Sequence, residues 1–292
     1  MKKVLFATTA LVLTAGVAAA EVTVGGDGRM GVVYDGSDWN FTSRIRIKFT
    51  ASGETDGGLQ FGGSARVDHY DTTTGSTASA ANGAAGSVYI SGAFGKITMG
   101  DIDSAAENAV GDLSGVGLTG LGDLNETAYL SSGLESGGDP GALYAYSMGD
   151  LSFYVSMMDG TPNEAYSVGV GYSMGDYGFG LGYETVDGVG EHIVASGSAS
   201  FGAVSLKAVY GTADLDAVGA DFDQYGVSAD YTTGALTVTG FYRHVDNTAP
   251  TADNDYYGIG ASYDLGGGAS LKGGVVDNDV DTVADFGISL SF

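Results

Sequence analysis

The sequence predicts an all-β chain, a transmembrane antiparallel β-barrel of 16 strands with one long loop over residues 101–140. Three observations carry this prediction. Apolar and small polar residues alternate along most of the 292 residues, tight Gly-bearing turns alternate with longer polar links, and 51 glycines accompany three prolines. Period-2 alternation is the mark of a strand with unlike faces, and short connectors on one side with long ones on the other mark a membrane barrel. The Gly excess, more than twice ordinary usage, follows no collagen repeat, and 43% apolar with 11% aromatic content argues against disorder.

The chain begins with a segment of another kind. Met1, Lys2 and Lys3 are followed by the apolar stretch Val4 to Val17 and by Ala18, Ala19 and Ala20 before Glu21, the layout of a secretory signal peptide. A membrane anchor is the poorer reading, because Thr8, Thr9 and Thr14 interrupt an already short run. Residues 1–20 are therefore expected to be removed, leaving a barrel domain over 21–292.

No later stretch reaches the roughly 18 uninterrupted apolar residues of a spanning helix. Instead Trp39, Phe41, Ile45, Ile47 and Phe49 alternate with Asn40, Thr42, Arg44, Arg46 and Lys48, and Leu59 to Asp68 repeats the rule. It returns in Tyr166 to Tyr172, Tyr177 to Tyr183, Val204 to Tyr210, Tyr225 to Tyr231, Leu236 to Tyr242, Tyr257 to Tyr263 and Phe286 to Phe292. The polar positions are Gly, Ser, Thr and charged residues that suit a wet lumen, with the apolar face toward lipid. Tight turns are read at 92–95, 148–150, 174–176, 201–203, 232–235 and 265–268, and longer links at 159–164, 211–223 and 245–255. Sixteen strands of about ten residues leave roughly five for each ordinary connector. Promoting Thr127 to Ser132 to a strand would give an odd count and separate the termini.

Composition excludes several functions. With 11 Lys+Arg against 36 Asp+Glu the formal charge is −25, so a nucleic acid would be repelled over most of the surface. Absence of Cys removes disulfides, thiolate chemistry and Cys-ligated zinc. Gly115, Gly117 and Gly120 spell a dinucleotide fingerprint without its strand and helix. Ser173 sits in G-x-S-x-G, yet alternation resumes at Tyr177 where a nucleophile elbow needs a helix. His69, His192 and His244 lack ligand spacing and read as strand-end or girdle residues. Asp277, Asn278, Asp279 and Asp281 resemble the start of a calcium loop without its later Gly and Glu.

Two charge groups remain. Five of the nine basic residues after position 20, namely Arg29, Arg44, Arg46, Lys48 and Arg66, fall on the polar faces of three successive strands. With strands ~4.8 Å apart these form one basic patch on the lumen wall. The 101–140 loop holds Asp101, Asp103, Glu107, Asp112, Asp123, Glu126, Glu135 and Asp139 without a Lys or Arg. Flung outward it would be a solvated acidic tip; folded inward, its acids would face the basic patch and set a transverse field across the water.

The chain resembles the 16-stranded general diffusion porins of Gram-negative outer membranes, in their Rhodobacter-type alphaproteobacterial branch. The resemblance is carried by Ser87 to Asp101 (SVYISGAFGKITMGD), Ala142 to Ser147 and the terminal Gly287 to Phe292. It implies that the third loop folds into the lumen as a constriction, with Asp101, Asp103, Glu107 and Asp112 opposite Arg29, Arg44, Arg46, Lys48 and Arg66. It also implies a homotrimer in membrane lipid and lipopolysaccharide, and a C-terminal Phe292 read by the outer-membrane assembly machinery. No cofactor is required, although some members bind calcium near the constriction, so calcium at the acidic loop stays open. The function expected is passive diffusion of ions and small hydrophilic solutes. The alternative is a plugged structural or adhesive barrel, and an enzyme would have to use Ser173.

Overall fold

The structure is a computed structural model that describes residues 20–70, 86–132, 140–159, 163–217, 220–247 and 254–292. Residues 1–19 of the expected signal segment, Glu135 and Asp139 lie outside the described residues. The strands are β1 (Glu21–Tyr34), β2 (Trp39–Glu54), β3 (Gln60–Tyr70), β4 (Gly86–Gly92) and β5 (Gly95–Gly100). A short helix α1 (Ala105–Val110) follows, then β6 (Gly141–Met148), β7 (Leu151–Met158), β8 (Ala165–Met174), β9 (Tyr177–Val186) and β10 (Gly190–Phe201). The wall is completed by β11 (Val204–Leu215), β12 (Phe222–Thr233), β13 (Leu236–Asn247), β14 (Asn254–Gly266), β15 (Ala269–Asp277) and β16 (Thr282–Ser291).

Each strand pairs antiparallel with its sequence neighbours, and β1 pairs with β16 to close the barrel. Among the described residues every strand has a hydrogen-bonded neighbour on both sides, the arrangement by which a barrel satisfies its backbone in a bilayer. The two ends are joined twice: Gly26 N–H donates to the Phe292 carbonyl at 2.6 Å and Phe292 N–H donates back to Gly26 at 3.0 Å. Residues 127–132 form no strand, so the count is sixteen and both termini reach the same rim.

The tight turns fall where the sequence places them. Gly175 and Gly202 adopt φ of +59° and +63°, values at which a side chain would be strained and glycine is not. The longer links are shorter than the alternation suggests, because β11 runs to Leu215 and β12 begins at Phe222. Leu215 N–H donates to the Asp221 carboxylate and caps that loop.

Outward faces carry the apolar side chains. Phe41 is 93% exposed, and Leu181, Phe179 and Ile259 are likewise open on the outside of the wall. Toward the rim of the longer links, Tyr225, Tyr242 and Tyr257 lie side by side, the first pair edge to face and the second tilted, with centroids 5.0–6.2 Å apart, and the Tyr242 hydroxyl donates to Asp255. An apolar body with a wet tip is what an interfacial girdle needs.

The packed core is unlike that of a soluble sandwich. Its three clusters bring residues of the 101–132 segment against the inner wall: Ala106, Val110, Leu113 and Tyr129 on Val194 and Val209; Ile102 on Met158, Ala165 and Val186; and Val116 and Leu121 on Phe241 and Val276. The inner face is therefore dry where that segment lies, and the rule of apolar residues outside holds only elsewhere.

Candidate functional site

The site begins with how the 101–132 segment is held. Its buried backbone needs partners, since an unpaired buried amide costs roughly 1–3 kcal/mol. Inward-facing side chains of the wall supply them. The Ser156 and Ser167 hydroxyls accept from Ala105 and Ala106 N–H at 2.8 Å each, and Ser228 accepts from Ser114 N–H. Gln224 both accepts from Ala128 N–H and donates to its carbonyl. Asp285 accepts from Leu118 N–H, Thr119 N–H and the Thr119 hydroxyl at 2.6–2.9 Å. Glu184, fully buried, accepts from Leu130 N–H and the Ser131 hydroxyl.

These partners are spread over β7, β8, β9, β12 and β16, and all lie on the face opposite the exposed apolar side chains. The segment therefore crosses the inside of the barrel and is no external tip. Glycine makes the room. A Cβ on Gly169 or Gly180 would stand 2.2 Å from the Ala105 or Ala109 carbonyl oxygen of α1, well inside van der Waals contact. The helix itself starts at Ser104, whose hydroxyl accepts from Glu107 N–H, and ends at Gly111. This turn of helix lies inside what alternation presents as a structureless loop.

The apparent catalytic and ligand motifs serve the fold instead. Gly117 has φ +88° and abuts the Asp285 carboxylate of the wall, while Gly115 and Gly120 lie against Asn125 and Asp123 within the loop itself, so the glycines of the apparent fingerprint serve close packing. Ser173 is exposed at the end of β8, and a turn into β9 follows it where an elbow requires a helix. His192 lies near the start of β10 but is no girdle residue: it is buried on the inner face, bonded through Nδ1 to Glu184 at 3.0 Å and through Nε2 to the Gln224 amide at 3.2 Å. Asp277, Asn278 and Asp279 spend side-chain oxygens on turn N–H groups. Among the described residues no group of three or more acids or histidines is close enough to hold a metal ion.

All five expected wall cations are brought together. Arg29 faces Arg44 across β1 and β2, Arg46 lies next along β2 opposite Asp27 and Asp68, and Lys48 lies between Gly25 and Arg66. Two acids that alternation alone does not single out sit among them. Asp27 pairs with Arg44 at 3.0 Å, and the buried Asp68 bridges Arg46 at 3.0 Å and Arg66 at 2.7 Å. Their parity, on the cationic face of β1 and β3, is the signal that points to them once the cations are placed.

The loop acids divide. Asp101 lines a cavity of about 1010 Å³ together with Arg46, Lys48 and Arg66. Asp103, Glu107 and Asp112 form a second group with Glu126, and the cations that act on Asp112 are Lys207 and Arg243 of β11 and β13, outside the basic patch. Burial, reinforced by Asp103, Asp112 and Glu126, pushes the Glu107 carboxyl up to about 8. Loss of solvent also raises Asp112, against the pull of Thr127 N–H and Lys207, and raises Asp103 with help from Asp101.

This arrangement predicts that Asp285→Ala, which strips Leu118 and Thr119 of their acceptor, destabilises the loop by roughly 2–4 kcal/mol. The check is open-channel current noise in planar bilayers, which should rise several-fold over the unmodified protein and over Asp264→Ala at the exposed end of β14.

The Gram-negative porin family matches residues 7–282. A porin of Rhodobacter capsulatus is 41% identical, covering 93% of this chain and 100% of its own length. A solved porin structure refined at 1.8 Å superposes with a TM-score of 0.82 at 41% identity and the same coverage. A triple mutant of Rhodopseudomonas blastica porin, 22% identical over 93% of this chain and 100% of its own, shares the fold with a TM-score of 0.70. Closed wall, outward apolar face, charged interior and these matches agree: the chain belongs to the Gram-negative porin family.

Proposed function

We propose that this outer-membrane porin is a water-filled channel in which the inner loop and the β1–β3 wall form a charged constriction for ions and small hydrophilic solutes. The observation that carries this reading is the division of the interior. The dry clusters gather on β7 to β11, β13 and β15, while the inner faces of β1 to β4 keep an open cavity lined by cations and hydroxyls. That division favours a conduit over the plugged barrel. Solutes pass by diffusion, and no step asks for a cofactor.

In this reading Arg29, Arg44, Arg46, Lys48 and Arg66 supply the positive side of the passage. Asp101, Asp103 and Asp112, joined by Glu126, supply the negative side, and Glu107 adds its charge above its pKa of about 8. The resulting field orients dipolar solutes and penalises apolar ones, which displace ordered water without replacing its hydrogen bonds. Residues 1–20 direct export, Phe292 marks the last strand for the assembly machinery, and three copies associate in a leaflet of lipid and lipopolysaccharide. The acids act here through their charge, and calcium has no assigned place among them.

Planar-bilayer recording tests the reading. Stepwise openings, often in threes, are expected, and silent insertion would favour the plugged barrel. Neutralising Arg44, Arg46 and Arg66 together should raise the cation over anion permeability ratio by roughly twofold or more. Reversal potentials unchanged by the triple substitution would remove those residues from the pore.

The Glu107 carboxyl gives a pH test whose sign is fixed. Near pH 7 most of it holds a proton; above its pKa of about 8 it adds a negative charge to the passage. Cation preference should therefore rise between pH 7 and 9 with a midpoint near 8, and Glu107→Gln should flatten that rise.

A further inference from the structure

We propose that the cavity between β1 and β4 is an anion subsite that takes the phosphate group of a small phosphorylated solute, an inference that rests on the channel reading above. It starts from a conflict in the wall. Lys48 and Arg66 are directly opposed in the β2–β3 ladder, and like charges in that position are destabilising. Asp68 relieves only part of the conflict. It binds Nε of Arg46 and Nε of Arg66, and among the described residues no hydrogen bond or ion pair takes up Lys48 or the Nη nitrogens of either arginine.

Asp27, which also lines the cavity, is taken up by Arg44. Three cations against the bridging Asp68 therefore leave the wall positive, with Asp101 offsetting part of that surplus. A phosphate monoester is a dianion above its second ionisation. The free groups also have the chemistry for it. Guanidinium forks match phosphoryl oxygens, an ammonium supplies a mobile point charge, and both give charge-assisted hydrogen bonds. Thr50, Ser64 and Ser87 line the same cavity, adding hydroxyls that can donate to the phosphate or to a polar solute body. Gly25 faces Lys48 from β1, so the position directly opposite it on that strand carries no side chain. Asp101 is the opposing charge at the cavity's edge, and it weakens anion binding there.

Titration calorimetry on the detergent-purified full barrel tests the subsite, with glucose 6-phosphate as probe and glucose as the neutral control. Saturable binding is expected for the phosphate ester and none for glucose. Lys48→Gln and Arg66→Gln should each weaken binding roughly tenfold, the loss of one charge-assisted contact, and Asp101→Asn should tighten it. Lys48 makes no bond whose loss could unfold the wall, and the heat-modifiable gel mobility of the variant checks that. Glucose binding as well as its phosphate, non-saturating heats, or Lys48→Gln matching the unmodified protein would overturn the subsite. Binding is read without current flow, so openings in KCl with no phosphate binding would sink the subsite alone, while saturable binding without openings would sink the channel reading and leave a phosphate site with no passage to serve.

Discussion

Everything in this barrel depends on keeping a stretch of irregular backbone inside a closed wall. Such a segment brings N–H and C=O groups into a space where part of the water is displaced, and each buried group needs a partner. The wall supplies them from inward positions: Asp285, Glu184 and Gln224 for the turns, and serines for α1. Glycines at Gly169 and Gly180 let the helix lie against the strands. Much of the glycine excess that first sets the sequence apart is thus explained by close approach, with turns accounting for a further share.

Local charge matters more here than the total. A net charge of −25 describes a protein that repels anions at long range, but within a Debye length of ~8–10 Å the nearest groups decide. On β1 to β3 those groups are five cations and two acids in ion pairs. On the loop they are carboxylates, one of which, Glu107, is held protonated near neutrality by burial first and by its acidic neighbours second. A passage with unlike walls sorts solutes by dipole and by charge while the bulk of the surface stays acidic.

Much of the fold was legible because alternation constrains it strongly. A one-residue slip turns every side chain to the other face, so Trp39 to Phe49 or Tyr225 to Tyr231 admits one reading. The basic patch was legible for the same reason, since strand parity alone places Arg44, Arg46 and Lys48 on one face. The loop was less so. Position in an irregular segment fixes no direction, and the acids split between two surroundings that only tertiary contacts reveal. The dry inner clusters left a faint trace in consecutive apolar pairs such as Ile193-Val194, Ala208-Val209 and Val275-Val276, where alternation fails. His192 gave no local sign of burial, because its partners Glu184 and Gln224 come from other strands of the wall.

A constriction requires that the 101–132 segment stand in the path of the current. The chain contains no cysteine, so a single Glu107→Cys can be modified alone. A bulky cationic thiol reagent applied to open channels should lower conductance in discrete steps and shift selectivity toward anions. Full labelling with no change in current would place the segment outside the passage, and the charged constriction would have no place in this barrel.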